Sequence, residues 1–213
     1  MLWRKLEGIG LPDGCTDLIM FWYSKQVNYV RWANEYSEPY RMQCRVRQGG
    51  LISPRLFNLY VDALIRELSG MRVGCHIGNV CVSNISYAND MVLLAPSVSA
   101  LRTLIGACER FDVSHGLLYN TKKSQFRVFK AGSKYPKVVP PNTLCNAPLE
   151  RVYKFKYLGH IVTDSTKDDE DIERERRALS VRANMLVHRF GRCTDTVKIT
   201  LFKAYSLYIV IFV

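Results

Sequence analysis

The spacing of apolar positions changes several times along the chain. Leu56, Leu59, Tyr60, Ala63, Leu64 and Leu68 recur three to four residues apart, which predicts an amphipathic helix. Ser53-Pro54 opens it, with Ser as the N-cap and Pro at the first helical position, and Gly70 closes it. Leu101, Leu104, Ile105, Cys108 and Phe111 form a second stripe, predicting a helix over about 97–115 that ends at Gly116. The opening predicts two short helices, about 1–7 and 12–24, broken at Gly8-Ile9-Gly10-Leu11-Pro12.

Between these helices the period shortens to that of strands. Val27–Ala33 and Pro39–Cys44 read as a strand pair joined by the polar run Asn34–Glu38. Val73–Ala95 reads as short strands with turns at Gly78-Asn79, Ser83-Asn84 and Asn89-Asp90. Ser124–Phe129 and Tyr153–Thr163 read as further strands, separated by the Pro-rich loop Pro136–Pro148. After Asp164 the pattern turns wholly helical. Asp168–Asp171 suits a helix start, Ile172, Leu179, Ala183, Leu186 and Phe190 follow at helical spacing, and another helix begins near Thr194. The expected fold class is α+β: an antiparallel sheet with helices on one face over 1–164, then a helical segment over 165–213.

Composition narrows the class. The 213 residues are 48% hydrophobic and 23% charged, which excludes disordered and collagen-like chains. A net charge of +11 favours a polyanionic partner, either nucleic acid or an anionic membrane surface. Residues 121–160 hold nine Lys or Arg against a single acid, Glu150. A solvated basic face is the plainer account of that run. The seven cysteines show no CxxC pair and no zinc spacing, and predict buried free thiols in a reducing compartment. No apolar core follows the first residues as in a signal peptide, and the apolar tail Leu207–Val213 falls short of the roughly 20 residues of a membrane span. The tail reads as an element end without its partner. An intracellular protein, in nucleus or cytoplasm and without a membrane, is expected.

The candidate chemistry centres on Tyr87-Ala88-Asn89-Asp90, between the apolar runs Asn84–Tyr87 and Met91–Ala95. A turn between two strands can hold carboxylates at a fixed height above a sheet, as two-metal phosphoryl transfer requires. Two Mg²⁺ ions about 4 Å apart repel by roughly 17 kcal/mol at an effective dielectric of about 20, so several anionic ligands are needed. By itself the tetrapeptide is weak evidence and reads more readily as a common turn.

Its neighbours give it context. Arg47-Gln48-Gly49-Gly50-Leu51-Ile52-Ser53-Pro54-Arg55-Leu56-Phe57-Asn58 precedes it, Asn120-Thr121-Lys122-Lys123 follows, and Phe155-Lys156-Tyr157-Leu158-Gly159-His160 comes after. In this order the chain resembles the reverse transcriptases of non-LTR retrotransposons, from Met1 to about Tyr208. The resemblance implies a partial polymerase palm over 1–164 and the start of a thumb over 165–213. It implies that Arg47, Gln48 and Gly49 form the motif B loop beside nucleotide and template, and that Tyr87 and Ala88 belong to motif C with Asn89 and Asp90. It places Lys123 on the motif D lysine, a possible general acid, although a surface lysine in a basic run accounts for it equally. Tyr157, Leu158 and Gly159 match the primer grip. Mg²⁺ is the implied cofactor, and an RNA template or RNA–DNA hybrid the implied partner.

The chain departs from the pattern in four places. Asn89 stands where the family carries its principal metal-binding aspartate, which removes one negative charge and leaves Asp90 as the remnant ligand. The segment that would carry motif A lies upstream of the stretch matched by Leu2–Leu6, and Asp13 and Asp17 do not replace it. Arg45 replaces a usual glycine, and the tail from Ile209 is unlike a thumb. The expectation is a catalytically inactive domain that retains at most nucleic-acid binding. Its alternatives are a non-folding product of a decayed mobile element, and a polymerase active only with a complementing chain.

Overall fold

A computed structural model describes residues 2–41, 50–130, 138–165 and 167–205. The chain divides into two compact units, residues 1–120 with 142–147, and residues 121–141 with 148–213. Both mix helices with short strands, so the fold class is α+β. The described strands form six separate two-stranded pairs in place of the one sheet expected, because each is only two to four residues long.

In the first unit, α1 (Leu2–Gly8) and α2 (Asp13–Ser24) are followed by the hairpin β1 (Arg31–Trp32) and β2 (Glu35–Tyr36). This corrects the expected strand pair. The chain reverses at Ala33, which takes φ 54°, so the second strand occupies the stretch read as a linker. The isolated bridge between Asn28 and Tyr40 prolongs the ribbon. The end of the expected second strand, Met42–Cys44, lies outside the described residues.

Helix α3 (Ser53–Gly70) spans the expected residues, but its ends differ from those predicted. Ile52 is the N-cap, and Ser53 is buried with its hydroxyl 3.2 Å from the Tyr23 hydroxyl. At the other end Gly70 is the last helical residue and Arg72 takes the left-handed conformation, φ 53°. Helix α4 (Val98–His115) matches its prediction closely. The Ser97 hydroxyl accepts from the Ala100 N–H at 3.1 Å, and Gly116 ends the helix at φ 66°.

Leu64 and Leu68 of α3 pack against Leu104, Ala107, Cys108 and Phe111 of α4 to form the core of this unit. Burial pushes the Cys108 thiol up to about 11, so it stays protonated. Of the other described cysteines, Cys15 and Cys145 are exposed, against the expectation of burial. Lys5 ties α1 to α3 by donating to the Tyr60 carbonyl at 2.6 Å, and burial lowers its pKa.

Two further hairpins follow, β3 (His76–Ile77) with β4 (Val80–Cys81), and β5 (Asn84–Tyr87) with β6 (Asp90–Leu93), the second of which packs on this core. Backbone bonds stitch them together. Val82 donates to Cys75 at 2.8 Å, Leu94 to Ser83 at 2.8 Å and Cys75 to Leu94 at 3.1 Å. The join requires glycine at position 74, where a Cβ would meet the Ser83 Cβ at 2.2 Å. The Ser83 hydroxyl donates to the Leu68 carbonyl at 3.1 Å and fastens the join to α3.

In the second unit, β7 (Gln125–Phe126) pairs with β10 (Glu150–Arg151), in parallel where antiparallel pairing was the general expectation. Between them in sequence the chain returns to the first unit and forms β8 (Thr143–Leu144) and β9 (Ala147–Pro148), a hairpin within the expected Pro-rich loop. β11 (Lys154–Tyr157) and β12 (His160–Thr163) form an antiparallel hairpin, followed by α5 (Asp169–Arg189) and α6 (Asp195–Tyr205). β12 ends at Thr163 and α5 begins at Asp169, but the residues on both sides of the boundary expected near 165 belong to one compact unit. On α5 the anticipated apolar anchor Ile172 is exposed, and Asp171 is buried beside it. Among the described residues no helix is long and apolar enough to cross a membrane.

Candidate active site and nucleic-acid interface

The β5–β6 hairpin presents the central tetrapeptide. Tyr87 pairs with Asp90, and Ala88 and Asn89 form the turn, so Asp90 opens the second strand and is not part of the turn as predicted. Ala88 adopts φ 49°, a left-handed conformation that is uncommon for a residue with a Cβ. Met91 and Leu93 pack on the α3–α4 core, while Tyr87, Ala88, Asn89 and Asp90 are all exposed. The hairpin root is therefore fixed by burial and its tip is open to solvent.

At that tip stands one carboxylate, Asp90, beside one neutral amide, Asn89. Mg²⁺ is held by hard anionic oxygens, and a pair of ions needs several of them. Among the described residues no three His, Cys, Asp or Glu side chains converge on a point able to hold a metal ion. The residues at the turn do not fit a two-metal site.

The second unit carries a matching tip. Tyr157 pairs with His160 across a turn formed by Leu158 at φ 47° and Gly159 at φ 96°. Buried Asp171 of α5 holds this hairpin. Its carboxylate accepts from the His160 ring at 2.8 Å, the Ile161 N–H at 2.9 Å and the Arg174 guanidinium at 2.8 Å. Burial alone would raise its pKa, but these three donors outweigh burial and hold it down to about 2. The sequence reading took Asp171 for one of several helix-start acids. Its neighbours on the chain carry no sign that it is the one turned inward.

The basic run is used in two ways. Arg127 is almost wholly buried, donating to the Val162 carbonyl at 2.5 Å and to the Tyr153 carbonyl, with its guanidinium near the Phe129 and Phe155 rings. It is a packing residue. Lys122, Lys123, Lys130, Lys154 and Lys156 are exposed. Lys130 pairs with Asp164 at 3.1 Å and Lys154 with Glu170 at 3.3 Å. Lys123 stands just before β7, in the same unit as Tyr157, Leu158 and Gly159, whereas Tyr87–Asp90 belong to the first unit. Arg47, Gln48 and Gly49 lie outside the described residues, as does Arg45.

A family model described as reverse transcriptase (RNA-dependent DNA polymerase) matches residues 1–162. The chain belongs to the reverse transcriptase family. It is 31% identical over 125 residues to the retrovirus-related Pol polyprotein from type-2 retrotransposable element R2DM of Drosophila melanogaster, a match covering 57% of this chain and 11% of that protein. Two Pol polyproteins from type-1 retrotransposable element R2 of Popillia japonica are also similar. One is 26% identical over 163 residues, covering 73% of this chain and 27% of that protein, and the other 29% over 165 residues, covering 74% and 23%. This reverse transcriptase domain is thus of the non-LTR retrotransposon kind that its motifs imply. The matches span between 11% and 27% of the length of these relatives.

Proposed function

We propose that this reverse transcriptase family member binds nucleic acid but does not add nucleotides by itself. The observation that carries the reading is the donor set at the β5–β6 tip, a neutral Asn89 next to a single carboxylate, Asp90. Replacing a metal-binding carboxylate by an amide removes a full charge where charge is what the chemistry needs. In this reading β5 and β6 with α3 and α4 are the remnant of a polymerase palm, and α5 and α6 belong to a thumb-like segment. Tyr157, Leu158 and Gly159 contact the primer strand, and Lys123 is retained from motif D without a reaction to serve. The ligand is an RNA template or an RNA–DNA hybrid, attracted by the exposed lysines of the second unit.

The test combines a thermal melt with primer extension on the purified chain. An RNA–DNA hybrid is expected to raise the melting midpoint, since a ligand of the native state stabilises by mass action. With Mg²⁺, nucleotides and a primed RNA template, extension is expected to stay at the level of the blank, for the native chain and for Asn89→Asp alike. Extension that Asp90→Ala abolishes would show an active polymerase. A midpoint unmoved by hybrid at low salt would remove the binding function.

A further inference from the structure

We propose that the β1–β2 hairpin is a stacking platform for the unpaired bases of a nucleic-acid strand, built from Tyr29, Arg31 and Tyr36. The proposal rests on the nucleic-acid reading above and gives it a specific surface in the first unit. Every residue from Tyr29 to Arg41 is exposed, so neither face of the ribbon packs on a core. Two-stranded ribbons are marginal in water without a covered face. This one nevertheless carries large rings, with Tyr29 55% and Tyr36 65% exposed.

The register sorts the side chains by face. Arg31 lies opposite Tyr36, and Trp32 opposite Glu35. Side chains alternate along a strand, so Tyr29 joins Arg31 and Tyr36 on one face, and Trp32 and Glu35 share the other. The contacts agree. The Tyr29 and Tyr36 rings meet edge to face, 6.5 Å apart at 88°, and the Arg31 guanidinium carbon lies 5.8 Å from the centre of the Tyr36 ring. Over residues 29–36 this face therefore holds two aromatic rings and a cation, and the single acid points the other way.

That sidedness selects the occupant. Over residues 29–36 the ring-bearing face carries a cation and no acid, in a chain of net charge +11, a balance that attracts a polyanion. A guanidinium over one ring, with the edge-to-face partner leaving ring surface open, suits planar bases joined by phosphates. Paired bases cannot offer their faces, so the ligand is a single strand or an unpaired end.

Binding of the full chain to a fluorescein-labelled, unstructured single-stranded RNA is measured beside a blunt duplex of equal length. Tyr29→Ala and Tyr36→Ala are each expected to weaken single-strand binding about five- to a hundredfold, the range seen for single stacking residues, with duplex binding unchanged. Tyr36→Phe, which keeps the ring, and Trp32→Ala, on the opposite face, are expected to stay within about twofold of the native chain. Native-like binding by both alanine variants would overturn the platform and leave nucleic-acid binding standing. Loss of binding in Tyr36→Phe, or an equal loss in Trp32→Ala, would also overturn it. A native chain that binds neither probe overturns both the platform and the proposed function. If the alanine variants lose self-association instead, with RNA binding intact, the face belongs to a second copy of the chain.

Discussion

A methyl group on Gly74 would sit 2.2 Å from the Ser83 Cβ, 2.6 Å from its Cα and 3.1 Å from the Leu94 carbonyl. None of these atoms is the free end of a flexible side chain, so Gly74→Ala must part the strands that root the β5–β6 hairpin. A cost of at least about 2 kcal/mol is expected, as for overpacked cores. Gly106, within α4, is the opposite case. A Cβ there meets nothing closer than the Arg110 guanidinium at 3.6 Å, and Gly106→Ala is expected to stabilise by about 0.5–1 kcal/mol through helix propensity. Urea unfolding of the two variants should move in opposite directions. Two losses of similar size would remove the packing argument. Neither role was legible in the sequence, where both residues are simply glycines among apolar neighbours. The substitution at Asn89 was legible, because it depends on residue identity and motif order and not on packing.

Elements with many residues and one buried stripe were the most readable. In α4 the Ser97 cap, the Leu104–Phe111 stripe and the terminal Gly116 all agree, so local and tertiary preferences coincide. The β1–β2 ribbon was misread because no burial imposes a register on it and one left-handed residue, Ala33, decides where it turns. The union of α5 with the β11–β12 hairpin was missed because an acid near a helix start reads as exposed. Asp171→Ala breaks a buried network of one carboxylate and three donors, and a loss of about 2–4 kcal/mol is expected. The same group sets an acid limit. Its folded pKa of about 2 lies below its ordinary 3.8, so the folded state binds the proton less readily than the unfolded one. The stabilisation is complete above about pH 4 and fades as pH falls toward 2. Melts of the native chain should lose stability across that window more steeply than melts of Asp171→Asn, and parallel curves would detach the acid limit from this residue.

For the whole molecule the decisive quantity is charge. The excess of +11 was read directly from composition, and it predicts the partner class better than it predicts the contacts, since Arg127 is spent on packing. Five exposed lysines of the basic run remain, two of them each paired with a carboxylate of its own. Counterion release from such a set gives a slope of about −3 to −4 in log affinity against log salt. Hybrid binding titrated from about 50 to 200 mM salt should therefore weaken by about two orders of magnitude, and a flat titration would show that the lysines are not the contact. The division of the chain was the least legible feature at this scale. Its cause is the short stretch 142–147, which leaves the second unit, buries Asn142 and Leu144 in the first, and is anchored there by the Cys145 N–H, which donates to the Glu109 carboxylate at 2.6 Å. The two units consequently alternate along the sequence and are not consecutive stretches of it. The backbone passes between them three times, so no single cut separates one from the other: recombination after residue 120 would leave the first unit without 142–147, and after residue 147 it would carry 121–141 along with the first unit.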